Sequence, residues 1–125
     1  MSGTGTGRRR MTRLLAGLGV AWGAVLLARP HEVVDAIAPA FPRDRLWLAR
    51  VLGARLVAQH GAVLAVPDPR LVRLGTAIDL LHAASMVPWV ASPRYGRAAW
   101  ISGGLAAAYA AVAPAVAPAG RSERG

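Results

Sequence analysis

Two ionisable residues sit inside long apolar segments, at matched distances from one turn. Arg55 lies within residues 44–66, Asp79 lies within residues 70–91, and Pro67-Asp68-Pro69 separates the two segments. If the chain doubles back at that turn as two helices, both residues fall about a dozen positions from it, at nearly the same depth for a rise of about 1.5 Å per residue. A guanidinium and a carboxylate placed so can neutralise one another. In hydrocarbon a charge persists where it is paired or lines a watery cavity. Two uses follow: a structural pair that fixes the register of a helical hairpin, or a path for a proton or a small solute.

The neighbours extend the pair. Gln59 is one turn from Arg55 on the same face, and Thr76 is close to one turn from Asp79. Measured from the same turn, Gln59 and Thr76 again match in depth, so a two-rung polar ladder is expected, each rung worth about 0.6–2 kcal/mol in lipid. His82 follows Asp79 at three residues and Met86 one turn later. An acidic residue and a histidine so spaced form half of a carboxylate-bridged di-metal motif. No second half exists, and His60 misses His82 in depth by about two turns, or about 10 Å. No metal is therefore assigned. His82 is expected to bond a backbone carbonyl or Asp79, with an imidazole that titrates near neutrality.

Nothing assembles a catalytic site. There are no cysteines, which excludes thiolate nucleophiles, thiolate metal sites and disulfides. Ser85 lies near His82 without the strained turn that exposes a serine nucleophile. Ser102 precedes Gly103 and Gly104 in a packing context. Gly3, Gly5 and Gly7 lack the strand and helix that phosphate binding needs. No catalytic residue and no cofactor is assigned.

The elements that must hold these residues are helices. The 125 residues are 54% hydrophobic and only 17% charged, a membrane-protein balance with room for one domain. No stretch alternates as a strand would. The pattern predicts an all-α fold: a four-helix transmembrane bundle with a short interfacial helix after the first span. Residues 1–10 read as a disordered basic tail, 11–117 as the transmembrane domain and 118–125 as a polar tail. The first span runs from Met11 to Ala28. A signal peptide is the alternative for it, set aside because further apolar segments follow. Pro30 ends it, and residues 31–39 carry Val33, Val34 and Ile37 on one side, too short to span and suited to lie along a bilayer. Asp44 is expected to cap the second span, over residues 44–66. The third covers 70–91, and the fourth covers 97–117, with Pro114 and Pro118 bending or ending it.

The net charge of +9 comes entirely from Arg, with no Lys. These arginines gather at the ends of apolar runs instead of forming a basic stripe interleaved with aromatics, so nucleic acid is not a predicted partner. Anionic lipid headgroups suit them better. Arg8, Arg9, Arg10, Arg13, Arg70, Arg73, Arg121 and Arg124 fall on one side. Arg29, Arg43, Arg45, Arg94 and Arg97 fall on the other. That bias places both termini in the cytoplasm of a multi-pass protein of a bacterial inner membrane. Trp47, Trp89, Tyr95 and Trp100 then form a belt at the outer face.

Small residues mark where helices approach. Gly19 and Gly23 have the four-residue spacing of close helix packing. Gly53 opens the second span beside Arg55, and Gly103, Ala107 and Ala111 repeat every four residues with Gly104 alongside. Such faces serve the bundle or a second copy equally, so a homo-oligomer or a larger membrane complex is an expected partner beside the bilayer itself. The first helix ending in Arg29-Pro30, the Arg50-x-x-Gly53-x-Arg55 segment with Gln59, and Asp79-Leu-Leu-His82-Ala-Ala-Ser85-Met86 resemble small four-helix integral membrane proteins of actinobacteria. The resemblance covers about residues 14–111. It implies the four-span architecture and the importance of Arg55, Asp79 and His82, and it brings no activity. The expected role is a non-enzymatic accessory or assembly component. A proton-coupled carrier or channel subunit using Asp79, His82 and Arg55 is the rival, and a membrane enzyme ranks third.

Overall fold

The structure is a computed structural model that describes residues 2–118. Among the described residues the chain is helical throughout its regular structure: α1 (Ser2–Ala28), α2 (Pro30–Ile37), α3 (Leu46–Ala65), α4 (Pro69–Met86) and α5 (Gly96–Val116), with single 3-10 turns at Arg43–Arg45 and Val87–Trp89. The all-α expectation is met.

Why these helices pack is visible in their buried stripes. In α1 the buried positions are Thr12, Ala16, Gly19, Gly23 and Leu26, in steps of four and three. The stripe of α3 is Gly53, Leu56, His60 and Val63, that of α4 is Val72, Gly75 and Asp79, and that of α5 is Gly96, Ala99, Gly103 and Ala106. A mean step of about 3.5 residues is the seam of left-handed helix packing. The four long helices run up, down, up and down. α1 packs closely on α3 and α4 packs closely on α5, while the two pairs touch each other sparingly. The bundle is therefore two tight antiparallel pairs joined along a thin seam.

The short α2 closes one end. Its first residue is Pro30, whose ring suits the first helical position. Val33 and Val34 turn inward, toward Leu26 and Leu56 in one cluster and toward Ala38 and Phe41 in another. The charged face of α2 is exposed: Arg29 meets Glu32 at 3.0 Å, and Asp35 meets Arg43 and His31. Phe41 stands edge-on to Tyr95 at 5.4 Å between ring centres, and Trp89 to Tyr95 at 5.3 Å. Trp47 and Trp100 lie at the same end. At the far end the α1–α5 joint is held by side chains donating to backbone carbonyls. Tyr109 Oη donates to Leu15 O at 2.6 Å, Thr12 Oγ1 to Val116 O at 3.2 Å, and Arg8 Nη1 to Ala115 O and Ala117 O at 3.2 Å each.

Several boundaries differ from the sequence expectation. α1 begins at Ser2, so the described part of the segment read as a disordered tail forms its first turns. Arg is a good helix former, and Arg8 finds the free carbonyls at the end of α5. Asp44 does not cap α3, because it lies inside the 3-10 turn and α3 starts beyond it without a side-chain cap. The cap that does form is at Asp68, whose Oδ1 accepts from Arg70 N at 2.7 Å ahead of Pro69 at the first helical position. Residues 119–125, including Arg121 and Arg124 and nearly all of the expected polar tail, lie outside the described residues.

Four apolar spans were expected. Among the described residues two helices are long and apolar enough to cross a membrane, Gly5–Ala28 within α1 and Gly96–Val116. α3 carries Arg50, Arg55, Gln59 and His60, and α4 carries Arg70, Arg73, Asp79 and His82. The network residues Arg55, Gln59 and Asp79 and the exposed Arg50, Arg70 and Arg73 together lower the apolarity of α3 and α4.

Candidate functional site

The seam between the two helix pairs holds the polar network. Asp79 is 3% exposed, on the buried stripe of α4. Its Oδ1 lies 3.6 Å from Arg55 Nη1 and accepts from Gln59 Nε2 at 3.2 Å. Arg55 Nη1 donates to Gln59 Oε1 at 2.6 Å, and Gln59 Nε2 also reaches Gly75 O at 3.3 Å. Gln59 thus bridges the two charges and touches the backbone of α4. Hydrogen bonds from a third group help the Coulomb attraction of a buried pair to offset desolvation, and Gln59 supplies them on one side of this pair.

The second rung differs from the expected one. Gln59 does not bond Thr76, whose Oγ1 is buried without a hydrogen bond. The cause is Gly75. Its missing side chain lets the Gln59 amide lie against α4, 3.2 Å from where a Cβ would stand. Gln59 then meets Gly75 and Asp79, and Thr76 turns aside. Its place in the buried stripe, four residues before Asp79, is the only sequence signal that marks Gly75. His82 bonds neither Asp79 nor a backbone carbonyl through its ring, and its Nε2 is buried without a partner. Ser85 Oγ donates to His82 O at 2.7 Å within its own helix.

The packing glycines divide. Gly19 lies directly under the ring of His60, which in turn stands 4.7 Å from the ring of Tyr109. Gly23 and Gly53 face each other across the α1–α3 contact, and Gly103 faces Met86 on α4. Gly104 is exposed, with nothing within 4 Å of its Cβ position. Ala107 and Ala111 are exposed as well. A strict step of four drifts about 40° per repeat around a helix of about 3.6 residues per turn, so the contact face follows Gly103 to Ala106 instead.

On the α2 side of the network the two pairs part around an apolar cavity of about 610 Å³ that is open on one side. Trp22, Phe41, Trp47 and Trp89 stand in its walls, Arg55 reaches it from the network and His82 lines it from α4. On the other side is a space of about 30 Å³ beside Thr12, His60, Thr76, Asp79 and Tyr109, large enough for one water. Arg55 thus connects the network to the cavity: its side chain is 27% exposed and its Nε has no hydrogen-bond partner among the described residues. No three of the His, Asp and Glu residues described gather closely enough to hold a metal ion.

The arrangement can hold a buried charge pair in fixed register. It also offers hydrogen-bond donors at the floor of an apolar chamber. No family model matches the chain, and no curated protein or solved structure matches it either.

Proposed function

We propose that the chain is a small integral protein of a bacterial inner membrane, with α1, α3, α4 and α5 all crossing the bilayer and a non-enzymatic accessory or assembly role. The observation that carries this reading is the inversion of its surfaces. Leu81 is 72% exposed, Trp100 66% and Leu18 64%, while Asp79, His60 and Thr12 are among the most buried side chains. Outward leucines of this extent form an apolar surface that water does not tolerate and lipid does. Turned inward, Asp79 accepts from Gln59 and Thr12 donates to a backbone carbonyl of α5. The aromatic residues other than Tyr109 gather toward the α2 end, and Arg8, Arg9, Arg10, Arg13, Arg70 and Arg73 at the other. That supports cytoplasmic termini and an interfacial aromatic belt. The resemblance to small actinobacterial membrane proteins points the same way.

The test is fractionation. The protein sediments with membranes, resists alkaline carbonate and is released only by detergent. Release by carbonate alone removes the reading.

One observation favours the rival, a proton-coupled carrier or channel subunit. Arg55 and Asp79 lie between the large cavity and the small polar space, a broken path along the bundle axis. Four helices are few for a carrier, so this reading requires an oligomer. Proteoliposomes loaded with a pH-sensitive dye decide it: flux abolished by Asp79→Asn supports the carrier, and no flux supports the accessory role.

A further inference from the structure

The cavity has the size and chemistry of a ligand site. Its volume of about 610 Å³ falls within the range of about 300–1,000 Å³ for small-molecule pockets, which pair apolar walls with a few convergent polar groups. The walls here are aliphatic and aromatic. The polar groups at the floor are Arg55, His82 and Ser102, and the first two each keep one nitrogen, Nε and Nε2, shielded from water and without a hydrogen bond. A buried donor left so costs about 1–3 kcal/mol. An oxygen supplied by a ligand, with a small rotation of either side chain, would satisfy it.

Charge selects the kind of oxygen. The guanidinium of Arg55 is already balanced by Asp79 at 3.6 Å. A second anion at the same guanidinium would leave a net negative charge in a low-dielectric site, which is costly. A neutral acceptor adds a hydrogen bond with no uncompensated charge. The other cation in the lining, Arg45, is exposed and ten residues away along the chain, about 15 Å at helical rise, on the α2 side. Apart from Tyr95, Ser102 and His82 the rest of the lining is apolar, and Trp47, Leu48, Val51 and Trp89 at the rim are themselves exposed. A tail leaving by that rim stays in apolar surroundings.

We propose that this cavity binds a neutral, lipid-soluble carbonyl compound of the quinone type, one carbonyl oxygen accepting from Arg55 at the floor and the tail leaving past Trp47 and Trp89. The membrane reading bears only on how such a ligand arrives, so the test uses detergent-purified full-length protein and does not fail with that reading.

Three of the four tryptophans, Trp22, Trp47 and Trp89, line the cavity, and Trp100 does not. Decylubiquinone is titrated against fluorescence. The Trp100→Phe variant, which keeps the cavity tryptophans, gives saturable quenching. A variant with Trp22, Trp47 and Trp89 changed to Phe gives only the linear quenching of quinone dissolved in the micelle. Arg55→Lys keeps a cation for Asp79 but loses the Nε donor, and weakens the quinone about tenfold, the equivalent of one hydrogen bond. Ser102→Leu fills the floor and weakens it at least as much. Dodecanoate, titrated in competition, displaces the quinone poorly. Linear quenching in every variant, saturable quenching untouched by Arg55→Lys and Ser102→Leu, or tighter binding of dodecanoate than of decylubiquinone would each overturn the assignment.

Discussion

Gly23 and Gly53 meet backbone to backbone where α1 crosses α3. A Cβ on Gly53 would stand 2.6 Å from the carbonyl oxygen of Gly23, and a Cβ on Gly23 would stand 2.8 Å from the carbonyl oxygen of Gly53. Neither obstacle is a flexible side-chain end, so the helices themselves must move apart. That crossing sits beside Leu26 and Leu56, which pack on one another.

Gly53→Ala is therefore expected to lower stability by about 1–3 kcal/mol, the ordinary cost of overpacking. Gly104→Ala faces open space and should gain up to about 1 kcal/mol from helix propensity alone. Thermal unfolding in detergent reads both. Equal effects at the two positions would contradict the packing described.

Arg55 and Asp79 are buried unequally, and this predicts unequal losses. Arg55→Gln strands a carboxylate whose side chain is 5% exposed, at a cost of about 3–5 kcal/mol. Asp79→Asn leaves a guanidinium that is partly open to the cavity, at about 1–3 kcal/mol. The double exchange Arg55→Asp with Asp79→Arg should recover much of the melting temperature if the pair is structural. A double exchange no better than the worse single change would argue against pairing.

Gln59 and Thr76 separate the observed register from the expected one. Gln59→Leu removes three hydrogen bonds and should cost about 1–3 kcal/mol. Thr76→Val removes a buried hydroxyl that bonds nothing and should leave stability unchanged or raise it, by up to about 1–3 kcal/mol. A large loss at Thr76 would restore the Gln59–Thr76 rung.

The meeting of Arg55 with Asp79 was legible in the sequence because one proline-flanked turn fixes the depth of both. Depth is a one-dimensional quantity that the helical rise converts directly. Their neighbours were not legible in the same way. Gly75 carries no side chain to announce a contact, yet its emptiness decides where Gln59 goes. The pairing of α1 with α3 was hidden too. Gly23 and Gly53 are both marked as small, but a small residue does not name its partner. The cavity was beyond reach for a similar reason. It exists because α3 and α4 part on the α2 side, and residues far apart in the chain, such as Trp22 and Ser102, come to line one space.

Labelling of single cysteines tests the membrane-spanning bundle most directly, and the native chain has none to interfere. Val66, Leu81 and Arg94 are all exposed in the structure, at the turn between α3 and α4, along α4 and in the loop before α5. In intact cells treated with a membrane-impermeant maleimide, Arg94→Cys should react, Val66→Cys should react only after the membrane is opened, and Leu81→Cys should react under neither condition. If Leu81→Cys labels as fast as the two end positions, its surface faces water and the membrane account is wrong.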